Sequence, residues 1–104
     1  MNDRAKQSAT FELQDNERAL VGGILDFDTV GALLTAGSKS IISGRVAFID
    51  LKDVATADSA GLALLLEWLS VARAAKRPLR FENMPMQLQQ LARLSEVEEL
   101  LLWN

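Results

Sequence analysis

The sequence predicts an α/β fold: a mixed sheet of about four strands, with an antiparallel opening hairpin and a parallel remainder, packed by three to four helices. Three observations lead there. Two short β-favouring segments, TFELQ (10–14) and RALVGG (18–23), flank the turn-rich DNE. The run RVAFIDL (45–51) is almost continuously apolar and carries β-branched Val46 and Ile49, the pattern of a strand buried on both faces and central in its sheet. From there to the end of the chain, helical and strand-like spacings alternate, which is how parallel strands are connected.

Taken in order, the polar start MNDRAKQSAT carries both signs of charge and no apolar stretch for a secretion or insertion machinery to read. Residues 1–9 are therefore expected to be a flexible tail ahead of a single domain at 10–104. After the hairpin, Val30, Leu33, Leu34, Ile41 and Ile42 form a helical stripe, with Asp26 or Asp28 placed to cap its start and Gly44 to stop it. A long helix from about Ser59 to Lys76 follows the central strand. It ends in RAAKRP, where Arg73, Lys76 and Arg77 suit the negative helix end and Pro78 prevents continuation. LRFEN (79–83) reads as the last strand. Met86, Leu88, Leu91, Ala92 and Leu94 then give one more helix, and the apolar cluster from Leu100 to Trp103 a short terminal element.

Composition limits the chemistry. With 49% apolar and 24% charged residues the chain has the balance of an ordinary globular protein. Its net charge of −3 offers no electrostatic footprint for phosphate backbones, so nucleic acid is not an expected partner. There is no histidine and no cysteine, which excludes a Ser-His-Asp triad, a cysteine nucleophile and a His or Cys zinc site. Disulfides are excluded too, and a reducing cytoplasm is the default expectation. The longest apolar run, Ala60–Leu66, is far shorter than the ~20 residues that cross a bilayer. No direct membrane insertion is expected, and no metal or cofactor.

Asp26, Asp28, Asp50, Asp53 and Asp58 are numerous enough for acid/base work, but acids at strand ends and helix starts are more commonly caps and turn residues. GALLTAGSKS (31–40) has the wrong glycine spacing for a phosphate loop and falls inside a helix. RAAKRPLR gathers four cations that helix-dipole complementarity explains, with a surface for an acidic partner as the second reading.

The informative stretch is DVATADSAGLALLLEWL. Asp58 or Ser59 is placed to accept a hydrogen bond from the first free amides of the long helix. Gly61 in its first turn costs about 1 kcal/mol relative to alanine and makes sense only if something approaches closely. Leu62, Leu65, Leu66 and Leu69 form one stripe, while Leu64, Trp68, Val71 and Ala75 continue round the other side, wider than one sheet contact needs. Either the terminal helix or a partner protein covers the second stripe.

These residues resemble the STAS domain family, shared by anti-sigma-factor antagonists and sulfate transporters. The resemblance runs through FEL near residue 11, GILDFDTV (23–30), FIDLKDVATADSAGLALL (48–65) and LRFENMPMQLQQLARLSEVEELL (79–101). The greasy helix and short acidic chain look most like the MlaB-type subunit of the bacterial ABC complex that moves phospholipid between envelope membranes. That resemblance implies a non-enzymatic cytoplasmic subunit, with no catalytic residues, that docks on the transporter's ATPase beside its permease and lipid-binding subunits. It would be peripheral to the inner membrane through that complex. The implied contact surface is Thr56, Asp58, Ser59, Ala60, Gly61, Leu62, Leu64, Leu65 and Trp68.

One departure matters. Antagonists of the sigma pathway carry a phosphorylatable hydroxyl directly before the glycine, and here that position is Ala60. Ser59 aligns instead with the hydroxyl that lipid-transport members place one position earlier, which makes it the candidate switch or phosphosite. Asp26 matches the acidic residue near the antagonists' phosphosite and is its candidate neighbour. The competing functions are an anti-sigma-factor antagonist in a partner-switching pathway and, from another class, a small enzyme using carboxylates alone.

Overall fold

The computed structural model describes residues 8–102. Its sheet has the order β1 (Ala9–Leu13), β2 (Arg18–Leu25), β3 (Phe48–Ala57), β4 (Arg80–Glu82). β1 runs antiparallel to β2, and β2, β3 and β4 are mutually parallel, as expected. Among the described residues the helices are α1 (Val30–Ile42), α2 (Ser59–Ala75), α3 (Met86–Leu94) and α4 (Glu98–Leu102). The expected tail lies, up to residue 7, outside the described residues, as does Trp103 of the expected terminal cluster.

DNE makes the hairpin. Asn16 and Glu17 both have positive φ, 61° and 62°, the type I′ geometry whose twist matches that of the flanking strands. The Glu17 carbonyl accepts hydrogen bonds from the amides of Ala47 (2.8 Å) and Phe48 (3.0 Å), which fixes the start of β3 against the hairpin. α1 stops where expected, with Gly44 at φ 83°. β4 pairs only with Phe48–Asp50, and β3 runs on to Ala57 beyond it. Out there the Ala57 amide donates to the side-chain Oε1 of Gln87 at the start of α3 (3.0 Å).

The two crossovers, β2-α1-β3 and β3-α2-β4, step across the sheet in one direction. Right-handed connections therefore place α1 and α2 on the same face. This corrects the expectation for β3. Ile49 and Leu51 are buried, whereas Phe48 and Asp50, which point the other way, are only half-buried beside Arg18, Leu20 and Glu82. β3 is central but covered on one face. Arg18 spans this open face, ion-paired with Glu82 and with its guanidinium 4.9 Å from the Phe48 ring centre.

A larger correction concerns α2. Gly61, Leu62, Leu64, Leu65 and Trp68, expected to meet a partner, are all buried in the chain's own core: Leu64 is 3% exposed and Trp68 0%. The reason is α1, the most extensive helix neighbour of α2. The Trp68 indole lies against Gly37 of α1, where a Cβ would stand only 2.4 Å from Cε2. Its Nε1 donates to the Leu34 carbonyl (3.4 Å), and its ring meets Phe11 of β1 at 6.1 Å between centres. One stripe of α2 serves the sheet and the other serves α1, so the helix is apolar on two sides for internal reasons.

The α3 stripe is corrected as well. Leu88 and Ala92 are buried and Leu91 half-buried, but Met86 and Leu94 face outward. Met86 lies two residues before Leu88, and at about 100° per residue that puts it roughly opposite the core stripe.

Candidate functional site

The carboxyl ends of β2 and β3 and the amino end of α2 meet at one corner. Ile24 pairs with Thr56 and Leu25 with Ala57, and the Asp58 amide donates to the Leu25 carbonyl (3.2 Å). The loop after β2 and the loop after β3 are thus held side by side. Crevices outside the carboxyl ends of parallel strands are where open α/β sheets usually carry function.

Asp58 resolves the cap alternatives. Its backbone is extended, its Oδ1 accepts from the Ala60 amide (2.8 Å), and its carbonyl accepts from Gly61 and Leu62. Ser59 is the first residue of α2, and its side chain is exposed. Gly61 is there for a close approach, as the sequence suggests: a Cβ would meet Leu25 Cβ at 3.0 Å and Ala57 Cβ at 3.2 Å. The approaching groups belong to the chain itself, at the ends of β2 and β3.

Asp26 organises the neighbouring loop and does not cap α1. Its Oδ1 accepts from the amides of Asp28 (2.9 Å) and Thr29 (3.1 Å), and the Thr29 hydroxyl donates to the Ile24 carbonyl (2.8 Å). Thr29 occupies the cap position without a side-chain cap bond. The Leu25–Asp58 contact brings this loop beside Ser59, but no hydrogen bond joins Asp26 to Ser59 among the described residues.

Three of the five acids hold structural posts. Asp58 caps, Asp26 closes a turn, and Asp50 Oδ1 accepts from the Lys52 amide and from Asn83 Nδ2, both at 2.9 Å. No group of three or more metal-ligating side chains occurs among the described residues.

Of the expected contact residues, the structure leaves Thr56, Asp58 and Ser59 exposed together, with Ala60 half-buried beside them. Two residues missed in the sequence flank them. Phe27, in the loop after β2, is 85% exposed, and Met86, next to the Gln87 that bonds Ala57, is 69% exposed. An acid-and-hydroxyl corner thus has a bare aromatic on one side and a bare thioether on the other. Aromatic residues and methionine are enriched at protein interfaces. The clue in the sequence was DFD, an aromatic between two acids in a turn, where no core contact is available.

The geometry is that of a small α/β domain with an exposed polar corner at one end of its sheet. Two solved structures share the fold. The unphosphorylated anti-sigma factor antagonist SpoIIAA is 20% identical, with a TM-score of 0.63 over 83% of this chain and 82% of that one. The phosphorylated form of the Bacillus cell fate determinant SpoIIAA is 20% identical, with a TM-score of 0.65 over 86% and 84%. No curated protein sequence matches significantly. The family profile described as "Mlab, STAS domain" matches residues 9–102, and the chain belongs to that family. No helix among the described residues is long and apolar enough to cross a membrane.

Proposed function

We propose that this chain is a cytoplasmic binding subunit, not an enzyme, that docks on the ATPase of a bacterial ABC phospholipid transporter and supports its assembly or activity. It reaches the inner membrane's periphery through that complex. The supporting observation is the corner itself: exposed Thr56, Asp58 and Ser59, with Ala60 half-buried beside them, flanked by exposed Phe27 and Met86. Membership of the Mlab, STAS domain family supports the same reading. The docking surface is this corner and not the leucine-and-tryptophan side of α2.

Co-expression with a candidate transporter ATPase, followed by native mass spectrometry, tests the assignment. A bound complex is expected, and its absence refutes the ATPase as partner. Phe27→Ala is expected to cost about 2 kcal/mol of binding, roughly thirtyfold in Kd, the size of an interface hot spot. Ser59→Glu adds charge beside Asp58 and should weaken the complex while leaving the fold intact.

The likeness in fold to SpoIIAA supports a second reading, an anti-sigma-factor antagonist. Co-expression with an anti-sigma kinase, read by the same native mass spectrometry, decides it: a complex with the kinase and none with the ATPase moves the assignment there.

A further inference from the structure

The opposite end of the molecule, where the parallel strands begin and α1 and α2 end, carries a different surface. Lys39 lies in the last turn of α1, Arg45 in the loop after it, Arg73 in the last turn of α2, Lys76 and Arg77 just beyond, and Arg80 at the start of β4. All six side chains are exposed, and none forms an ion pair among the described residues. The fold draws them together from two separate stretches of sequence, 39–45 and 73–80. Arg77 Nε donates to the Ile42 carbonyl (3.2 Å), its guanidinium lies over Gly44 next to Arg45, and the Arg80 amide donates to the Ala47 carbonyl (2.9 Å). Asp15, Glu17, Glu96 and Glu99 border this end, so the six cations still outnumber the acids around them. The pole is net positive on a chain whose total is −3.

Helix-dipole complementarity accounts for Lys39 and Arg73, which sit in last turns. It does not account for Arg45 in a loop or Arg80 on a strand. Nor does it account for two large aliphatics among the cations. Ile42 is 53% exposed, and Leu100, 45% exposed, lines a shallow groove with Leu69, Ala72, Arg73, Arg77 and Leu79.

We propose that this basic pole is a peripheral binding surface for anionic lipid headgroups. Cations attract a negative leaflet, and isolated aliphatics gain by reaching the acyl boundary. The arrangement favours a fluid surface over an acidic protein, because none of the six cations is held in an ion pair among the described residues and the two large exposed aliphatics among them, Ile42 and Leu100, stand apart on α1 and α4. The inference is independent of the docking corner, which lies at the other end of the sheet.

Vesicle flotation of the whole chain tests it, using equal parts phosphatidylcholine and phosphatidylglycerol against phosphatidylcholine alone. Binding is expected to the anionic vesicles only, falling as salt is raised. Each Lys or Arg near such a surface contributes about fivefold to partitioning, so Lys39→Glu/Arg45→Glu/Arg73→Glu should lower it at least about a hundredfold. Lys39→Gln/Arg45→Gln, which neutralises without reversing, should lower it about 25-fold and serves if the triple variant fails to fold. Phe27→Asp, at the other pole, should leave it unchanged. No binding to anionic vesicles, binding indifferent to these substitutions, or capture of soluble polyglutamate as tight as that of vesicles would each overturn the proposal. The last outcome would assign the pole to an acidic protein.

Discussion

Gly37→Ala tests the claim that Trp68 is sealed beneath its own chain. In a helix interior this exchange by itself stabilises by about 1 kcal/mol. Here the new methyl would stand 2.4 Å from Cε2 and 2.5 Å from both Cζ2 and Nε1 of Trp68, against a comfortable separation of about 3.5–4.0 Å. The ring or α1 must retreat by about 1 Å. Trp68 has no exposed surface to retreat into, and Phe11 sits on another side of it. Overpacking of this kind costs about 1–3 kcal/mol and occasionally more. The bond from Nε1 to Leu34, about 1 kcal/mol at most, is strained with it. A net loss of about 1–3 kcal/mol is expected, each kcal/mol lowering Tm by about 4–8 °C in a domain of this size. Urea unfolding followed by Trp68 fluorescence in a Trp103→Phe background measures it. Trp68→Phe should relieve part of the cost of Gly37→Ala, with a coupling of about 1 kcal/mol. A Gly37→Ala chain as stable as the parent, or more so, would refute the packing argument and return Trp68 to the surface.

Three smaller effects follow from the same geometry. Asp58→Ala removes the α2 cap and should cost about 1 kcal/mol by urea titration, whereas Asp58→Asn keeps the cap and should be nearly neutral. The Asn variant therefore reads any role of the charge in docking separately from its role in folding. Glu17→Gly relieves a non-glycine residue at φ 62° and should raise the unfolding free energy, by urea titration, by up to about 1 kcal/mol; a loss would show that the Glu17 side chain itself holds the hairpin. Glu82→Gln breaks a half-exposed ion pair with Arg18 and should cost no more than about 1 kcal/mol, less in high salt, by thermal unfolding.

The elements of this fold were largely legible because their punctuation is local. DNE, Gly44, Asp58 and Pro78 each act on backbone within a few residues of themselves, and the sequence places the turn, the helix stop, the cap and the break where the structure has them. What was not legible depended on pairing across the chain. A helix apolar on two sides is the same string whether the second side meets α1 or another protein, and only Gly37, 31 positions before Trp68, distinguishes the cases. Likewise RVAFIDL reads as doubly buried because Val46 and Ala47 are buried in the approach to the strand, not in its ladder. At the site, the polar members were read from the sequence and the apolar ones were not. Met86 was counted with the core by type, although its spacing from Leu88 placed it outside.

The brevity of β4 leaves β3 with an unclaimed flank. Beyond Asp50 no neighbouring strand among the described residues occupies that side, and the Gln87 amide stands in for the missing one at Ala57. Such a bare ladder invites a stray chain to zip onto it, and Lys52 and Asp53 put opposite charges along the stretch that would be zipped. A glutamine side chain and two charges that contribute nothing to the core thus guard this flank against pairing with another chain.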